Sequence, residues 1–380
     1  MSDGRRRIGI NALFLVPGET GGMETYARQL VPALAEALPE SELVAFVGPE
    51  VRERLGERPF GASVRVVEAP VPAANRLSRV AAEQLWLPFA ARREHIDLLH
   101  SLGTTAPGRV SCASVVTVHD VIYATWPEAH TTAMRLGMRV LVPLGLRDAD
   151  RVVTSAEAAA REIVETLHYP RERIDVVPLA GGLARVQPAP EAEVRARYDL
   201  GDAPIVLSVS ARRPHKNLPR LLEALAGLRA DPQPLLVLPG YATEFEPALE
   251  ARIGELGVAS RVRVLGWIPD ADLEGLYAAA TCFVFPSLAE GFGLPVLEAM
   301  ERGVPVACSR ASSLPEVGGD AVLYFDPLRV DEIGAATERL LTDAGLRRRL
   351  AAAGRERARG FSWQRTARET AAVYDRVLGR

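Results

Sequence analysis

Short β-branched runs alternate with longer stretches of helical periodicity through the first half of the chain. Apolar runs at 8–11, 43–47, 64–67, 96–99 and 115–118 predict strands, and the periodic segments 24–38 and 76–92 predict helices between them. Segment 134–146 reads as a further helix and 151–154 as a strand, with Ser155 placed to cap a helix to Leu167 ahead of a strand at 174–177. The runs are continuous rather than alternating, which marks parallel strands covered on both faces.

The rhythm breaks around Gly181-Gly182 and Gln187-Pro188-Ala189-Pro190, where a linker is expected, and resumes at 205–209. Runs at 235–238, 262–265, 282–285, 304–307 and 322–325 follow, again with helical patterns between them. The expected fold class is α/β: two Rossmann-like, doubly wound parallel-sheet domains at 1–185 and 195–358, facing a deep cleft, with a last helix at 360–380. Ligands of such sheets sit beyond the carboxyl ends of the strands, so chemistry is sought in the loops that follow strands.

Composition narrows the class. With 380 residues, 48% apolar, 24% charged and a net charge of −3, the chain suits two ordinary globular domains. Disorder, collagen-like structure and bulk nucleic-acid binding are disfavoured. The basic start meets Pro17, Gly18 and Glu19 after a short apolar stretch, and no apolar run approaches ~20 residues, so a cytoplasmic protein is expected. Cys112, Cys282 and Cys308 lie far apart without zinc-type spacing and read as small core residues.

The richest segment is 282–300, Cys-Phe-Val-Phe-Pro-Ser-Leu-Ala-Glu-Gly-Phe-Gly-Leu-Pro-Val-Leu-Glu-Ala-Met. A strand gives way to a loop, Pro295 falls in the first turn of a helix, and Gly303 ends that helix. Amides of Phe292, Gly293 and Leu294 at the helix start suit a diphosphate or sugar hydroxyls. Glu290 and Glu298 bracket them, and carboxylates that accept paired hydroxyl hydrogen bonds suit a hexose and a ribose. Taken singly, Glu298 equally suits an i,i+4 pair with Arg302, and Glu290 a solvated loop charge. Elsewhere, Gly21-Gly22 lies between the first strand and the first helix, where backbone can approach a phosphate or acceptor. His119 ends a strand beside Asp120. The basic loop Ala211-Arg212-Arg213-Pro214-His215-Lys216 follows another strand and could stabilise charge on a departing diphosphate, or be an exposed basic turn.

The 282–300 segment resembles the Glu-x7-Glu signature of retaining GT-B glycosyltransferases, the group that includes bacterial mannosyl-, glucosyl- and rhamnosyltransferases. Thr20-Gly21-Gly22-Met23-Glu24-Thr25-Tyr26, Val116-Thr117-Val118-His119-Asp120, Asp150-Arg151-Val152-Val153-Thr154-Ser155, Leu265-Gly266-Trp267-Ile268-Pro269 and Ser313 to Ala321 are similar to further stretches of that family. The resemblance implies a metal-independent hexosyltransferase whose second domain binds the nucleotide-sugar and whose first binds the acceptor. Glu290 would contact the donor hexose, Glu298 the ribose, and His119 the anomeric centre. Lys216 and an arginine would contact the diphosphate, Arg212 being preferred over Arg213 although the family spacing falls nearer Ala211. Gly21, Gly22, Gly240, Gly266, Trp267, Gly291, Phe292, Gly293 and Leu294 complete the expected donor-binding set. The closing helix, begun at Phe361-Ser362-Trp363 and running to Leu378, would cross back to the first domain with Trp363 as anchor.

Two triplets, Asp148-Ala149-Asp150 and Asp270-Ala271-Asp272, have the spacing of the metal motif of the other main glycosyltransferase fold. The first precedes a buried strand, and Asp270 or Asp272 is placed to cap a helix at 273–280, so neither metal nor cofactor is expected. The expected partners are a GDP-, UDP- or dTDP-hexose and a carbohydrate or lipid-linked acceptor. Arg76, Arg79, Arg92 and Arg93 among Leu77, Leu85, Trp86 and Leu87 would suit contact with the inner face of a membrane, or a packed helix with a solvated face. The rivals are a nucleotide-sugar 2-epimerase on the same scaffold and a silent nucleotide-sugar-binding partner. An NAD oxidoreductase lacks its Gly-x-Gly-x-x-Gly after the first strand.

Overall fold

A computed structural model of the chain describes residues 5–129, 131–182 and 186–379. The chain forms two compact units, Met1–Leu183 with Phe361–Arg380, and Ala184–Gly360. Part of the expected linker, residues 183–185, lies outside the described residues.

In the first unit, strands β1 (Arg6–Ala12), β2 (Ser41–Val47), β3 (Val64–Glu68), β4 (Leu98–Ser101), β5 (Ala113–Thr117), β6 (Arg151–Thr154) and β7 (Ile174–Val176) form one sheet in the order β3-β2-β1-β4-β5-β6-β7. Every pairing is parallel. The reversal of order at β1 and β4 is the topological switch point of a doubly wound sheet. Two apolar clusters fill it out, one around Val44, Phe46 and Leu99, the other around Val116, Val142 and Ile163. The central strands are largely buried because helices cover them on both sides, and this explains their continuous apolar runs, while the edge strand β3 keeps exposed positions.

The second unit repeats the plan with β8 (Ile205–Leu207), β9 (Leu235–Pro239), β10 (Val262–Leu265), β11 (Ala280–Phe285), β12 (Val306–Ser309) and β13 (Leu323–Phe325), in the order β10-β9-β8-β11-β12-β13 and again all parallel. Its core gathers Val206, Leu222, Leu236, Val284 and Ile333. The closing helix Trp363–Val377 belongs to the first unit. Trp363 Nε1 donates to the Gly181 carbonyl at 2.8 Å and Thr366 Oγ1 to that of Pro178 at 2.7 Å, while Ala367 and Val373 are buried.

Several local expectations give way. The helix after β6 is Glu157–Leu167, preceded by Ala156 in extended conformation, with Ser155 buried one residue earlier. Neither Asp270 nor Asp272 caps: the helix is Asp270–Ala279 behind Pro269, and the Asp272 carboxylate is taken by Arg197 and the Tyr198 hydroxyl. The single helix expected at 76–92 is three pieces, Arg76–Ala81, a π turn at Ala82–Trp86 and Leu87–Arg93. That turn points Glu83 inward, where it accepts from Asn11 Nδ2 at 2.9 Å and from Thr105 Oγ1 at 3.2 Å.

Candidate functional site

In the second unit the loop after β11 is held by buried polar side chains. Asn217 adopts left-handed backbone with φ 58°, which Asn tolerates better than most residues, and its Nδ2 donates to the carbonyls of Pro286 at 3.0 Å and Pro327 at 2.7 Å. Asn217 thus immediately precedes the helix Leu218–Gly227, and its side chain ties loops together rather than capping. Ser287 Oγ donates to the His215 carbonyl at 3.2 Å, and the Leu288 amide to the same carbonyl at 2.7 Å. Ser313 Oγ bridges the carbonyls of Glu290, at 3.0 Å, and Phe292, at 2.8 Å. Gly293 then starts the helix Leu294–Arg302 at φ 107°, where a Cβ would lie 2.5 Å from Leu314 Cδ2, and Pro295 occupies the first turn. Gly303 closes that helix.

This frame sets Glu290 on Lys216. Lys216 Nζ donates to Glu290 Oε1 at 2.5 Å, with the two side chains 15% and 10% exposed, so Glu290 is not a solvated loop charge. The ammonium also lies 5.4 Å from the centroid of Phe285, over its face. Phe285 stacks on Phe283, and Phe283 meets Tyr277, whose hydroxyl donates to Glu298 Oε2 at 3.2 Å. One strand face thus spaces the two glutamates. Burial pushes the Glu298 carboxyl up to about 7, against the pull of nearby Arg302 and the Tyr277 hydrogen bond. Arg302 itself pairs with Glu274 and donates to the main-chain carbonyl of Glu298 at 3.0 Å, in place of the expected side-chain pair.

The basic loop is divided among different partners. Arg212 is 3% exposed, with its guanidinium on Glu246 at 3.0 Å and on the Leu265 carbonyl. Thr243 Oγ1 donates to the Arg212 carbonyl, which draws in the loop after β9. The cations of this loop thus take different partners: Arg212 rests on Glu246 and the Leu265 carbonyl, Arg213 is half-buried, and Lys216 is set beside Glu290. Gly240 packs its backbone against this loop, and a Cβ there would lie 2.0 Å from the Ser210 carbonyl oxygen. The Gly240 amide donates to the Gly266 carbonyl at 3.3 Å, and the adjacent Trp267 is 59% exposed.

In the first unit, Gly21 (φ 54°, ψ −130°) leads into the helix Gly22–Ala37. Glu24, on its first turn, accepts from the Gly18 amide at 2.6 Å and from Arg28 at 3.1 Å, fixing the glycine loop from within. His119 follows β5 and bonds through Nε2 to the Leu102 carbonyl at 2.9 Å. A carbonyl can only accept, so Nε2 carries the proton and Nδ1 is the acceptor of a neutral ring. Burial lowers the His119 pKa to about 4, against the opposing pull of that carbonyl.

Sequence reasoning missed the positioning roles of Asn217, Ser313, Tyr277 and Glu246, whose partners lie far along the chain. Paired carboxylates, a cation among aromatic faces and tightly laced post-strand loops, on two doubly wound sheets, define a nucleotide-sugar transferase of the GT-B fold. The chain belongs to the group 1 and family 4 glycosyltransferases: residues 20–180 match the profile Glycosyltransferase Family 4, and residues 191–357 match Glycosyl transferases group 1. It is 36% identical over 289 residues to O-antigen chain mannosyltransferase B of Escherichia coli, covering 75% of this chain and 76% of that one. A GDP-mannose-dependent α-(1-6)-phosphatidylinositol monomannoside mannosyltransferase of Mycolicibacterium smegmatis is 30% identical, covering 92% of each chain. The solved sucrose-phosphate synthase of Thermosynechococcus elongatus shares the fold, with a TM-score of 0.80 at 23% identity over 99% of this chain and 100% of that one.

Proposed function

We propose that this glycosyltransferase moves a mannosyl group from GDP-mannose to a glycan or lipid-linked acceptor, with retained anomeric configuration and without a metal. The observation that carries the reading is the Lys216–Glu290 pair at 2.5 Å beside the helix start at Leu294, with Glu298 one helical turn further on. The names of the similar mannosyltransferases favour mannose and, through one of them, GDP. They also disfavour the 2-epimerase alternative.

In the proposed step, the bond from C1 to the β-phosphate oxygen breaks while the acceptor oxygen bonds C1 on the same face. The acceptor proton passes to the leaving phosphate. Lys216 meets the charge that grows on that phosphate, an interaction stronger in the transition state than in the ground state. Glu290 orients the hexose, Glu298 accepts from the ribose hydroxyls, and the His119 ring, neutral at pH 7, lines the hexose side. Asp150 and Asp272 are already engaged, by the Ser114 amide and by Arg197 with Tyr198, so the Asp-x-Asp triplets supply no free pair of carboxylates.

A lipid-linked acceptor is supported by the exposed side chains of Leu77, Leu85 and Phe89 beside Arg76, Arg92 and Arg93. Leu87 and Trp86 do not share that face: Leu87 is buried and Trp86 packs on Phe46. Among the described residues no helix is long and apolar enough to cross a membrane. Flotation with phosphatidylglycerol vesicles tests this, and Leu85→Glu with Phe89→Glu should abolish it. The donor is tested by thermal shift: GDP at 100 times its Kd should add about 2.7 kcal/mol of stability. A shift with UDP or dTDP and none with GDP would overturn the donor assignment.

A further inference from the structure

A continuous chain of buried polar groups crosses the first unit without any part in the step above. The Tyr374 hydroxyl, from the closing helix, meets His100 Nδ1 at 2.6 Å. His100 Nε2 meets Thr117 Oγ1 at 2.8 Å, and Thr117 Oγ1 meets the Tyr26 hydroxyl at 3.0 Å. All four residues are at most 2% exposed. A Phe at position 26 would fill the same volume without a buried hydroxyl to satisfy, so the linked set does something that packing alone does not require.

The chain ends against His119. The Tyr26 and His119 rings meet edge to face, with centroids 4.9 Å apart and planes at 89°. Trp363 of the closing helix lies 6.2 Å from Tyr26, centroid to centroid. The hydrogen bond from His119 Nε2 to the Leu102 carbonyl fixes one atom of the imidazole, about which the ring could still turn. The Tyr26 contact sets its plane, and with it the direction of the Nδ1 lone pair. Tyr26 also belongs to the helix that Gly21 starts, so the glycine loop and the histidine share one mount.

We infer that Tyr26 is a positioning residue for His119, and that the Thr117–His100–Tyr374 chain makes the closing helix part of the same support. The inference rests on the reading of His119 as a group that meets the transferred hexose. It gives the closing helix a role in turnover besides anchoring.

The test is a double-mutant cycle on kcat, donor KM and nucleoside diphosphate affinity, using His119→Ala, Tyr26→Leu and the pair. His119→Ala should lower kcat. Tyr26→Leu should lower kcat roughly 10- to 100-fold, as expected for a misplaced group, with diphosphate affinity within about twofold of the parent. Adding Tyr26→Leu to His119→Ala should cost nothing more. If His119→Ala leaves kcat intact, the reading of His119 fails and the inference fails with it. If His119→Ala is impaired but the two losses multiply, only the role of Tyr26 is overturned. Should Tyr26→Leu not fold, Thr117→Val cuts the chain and keeps both rings. It should lower kcat roughly threefold or more by loosening the orientation, and only while His119 is present. Parental kcat in a folded Thr117→Val protein would overturn the support chain.

Discussion

Glu290→Gln separates two jobs that the Lys216–Glu290 pair performs together. In the free protein Glu290 neutralises Lys216 at 2.5 Å, with both side chains largely shielded from solvent. Under the proposed function, a nucleoside diphosphate would therefore compete with Glu290 for the ammonium. A charged hydrogen bond of this kind is worth about 1.5–3 kcal/mol net. If the diphosphate displaces about half of it, relieving the competition returns roughly 1 kcal/mol, or about fivefold in affinity. Glutamine keeps the shape and one acceptor while removing the charge, so Glu290→Gln should bind free GDP several-fold more tightly. The same change removes a negative charge near a hexose that gains positive charge, so kcat should fall about 10- to 100-fold. Calorimetry of GDP binding and steady-state donor kinetics on one preparation check both signs. Weaker GDP binding in Glu290→Gln would refute the competition, and unchanged turnover would remove Glu290 from the hexose.

Lys216→Ala should cost about 3–4 kcal/mol of transition-state stabilisation, a 100- to 1,000-fold loss in kcat/KM, and a loss under about tenfold would make it a structural charge. Glu298 ionises near pH 7 in the folded protein and near 4.3 when unfolded, so the fold holds a proton there that the open chain does not. Its ionisation lowers stability as pH rises from about 4.3 to about 7. Discounted for partial solvent access, Glu298→Gln should therefore raise stability by about 2 kcal/mol at pH 8 and by almost nothing at pH 4, while weakening GDP binding at pH 8. Thermal melts at the two pH values check the sign. Gly240→Ala forces a methyl to within 2.0 Å of the Ser210 carbonyl oxygen and should cost roughly 3 kcal/mol in urea unfolding, since backbone is what would have to yield.

The strands were legible because the central ones are buried on both faces and so leave apolar runs, from Ile8 to Ile10 in β1 as in Cys282 to Phe285 in β11. The post-strand loops were legible for the same reason: they begin where those runs stop, and this located Glu290, Glu298 and Lys216 on the stretches that the fold lays beside one another. What escaped was partner choice. A guanidinium reads as solvated until a carboxylate far along the chain covers it, as Glu246 covers Arg212. Asp272 reads as a cap until Arg197 and Tyr198 claim it. The π turn at Ala82–Trp86 leaves helical periodicity almost intact, so nothing in the sequence marks that Glu83 turns inward.

The central claim, metal-independent transfer of mannose with retention, meets its most direct test in the anomeric configuration of the product. GDP-mannose and a panel of mannose-terminated oligosaccharides are incubated with the protein in excess EDTA, and the product is read by the one-bond carbon–proton coupling at its new C1. The account predicts an α-mannoside formed at the same rate with and without EDTA. A β-mannoside, or a product that forms only when Mg²⁺ or Mn²⁺ is restored, would contradict it.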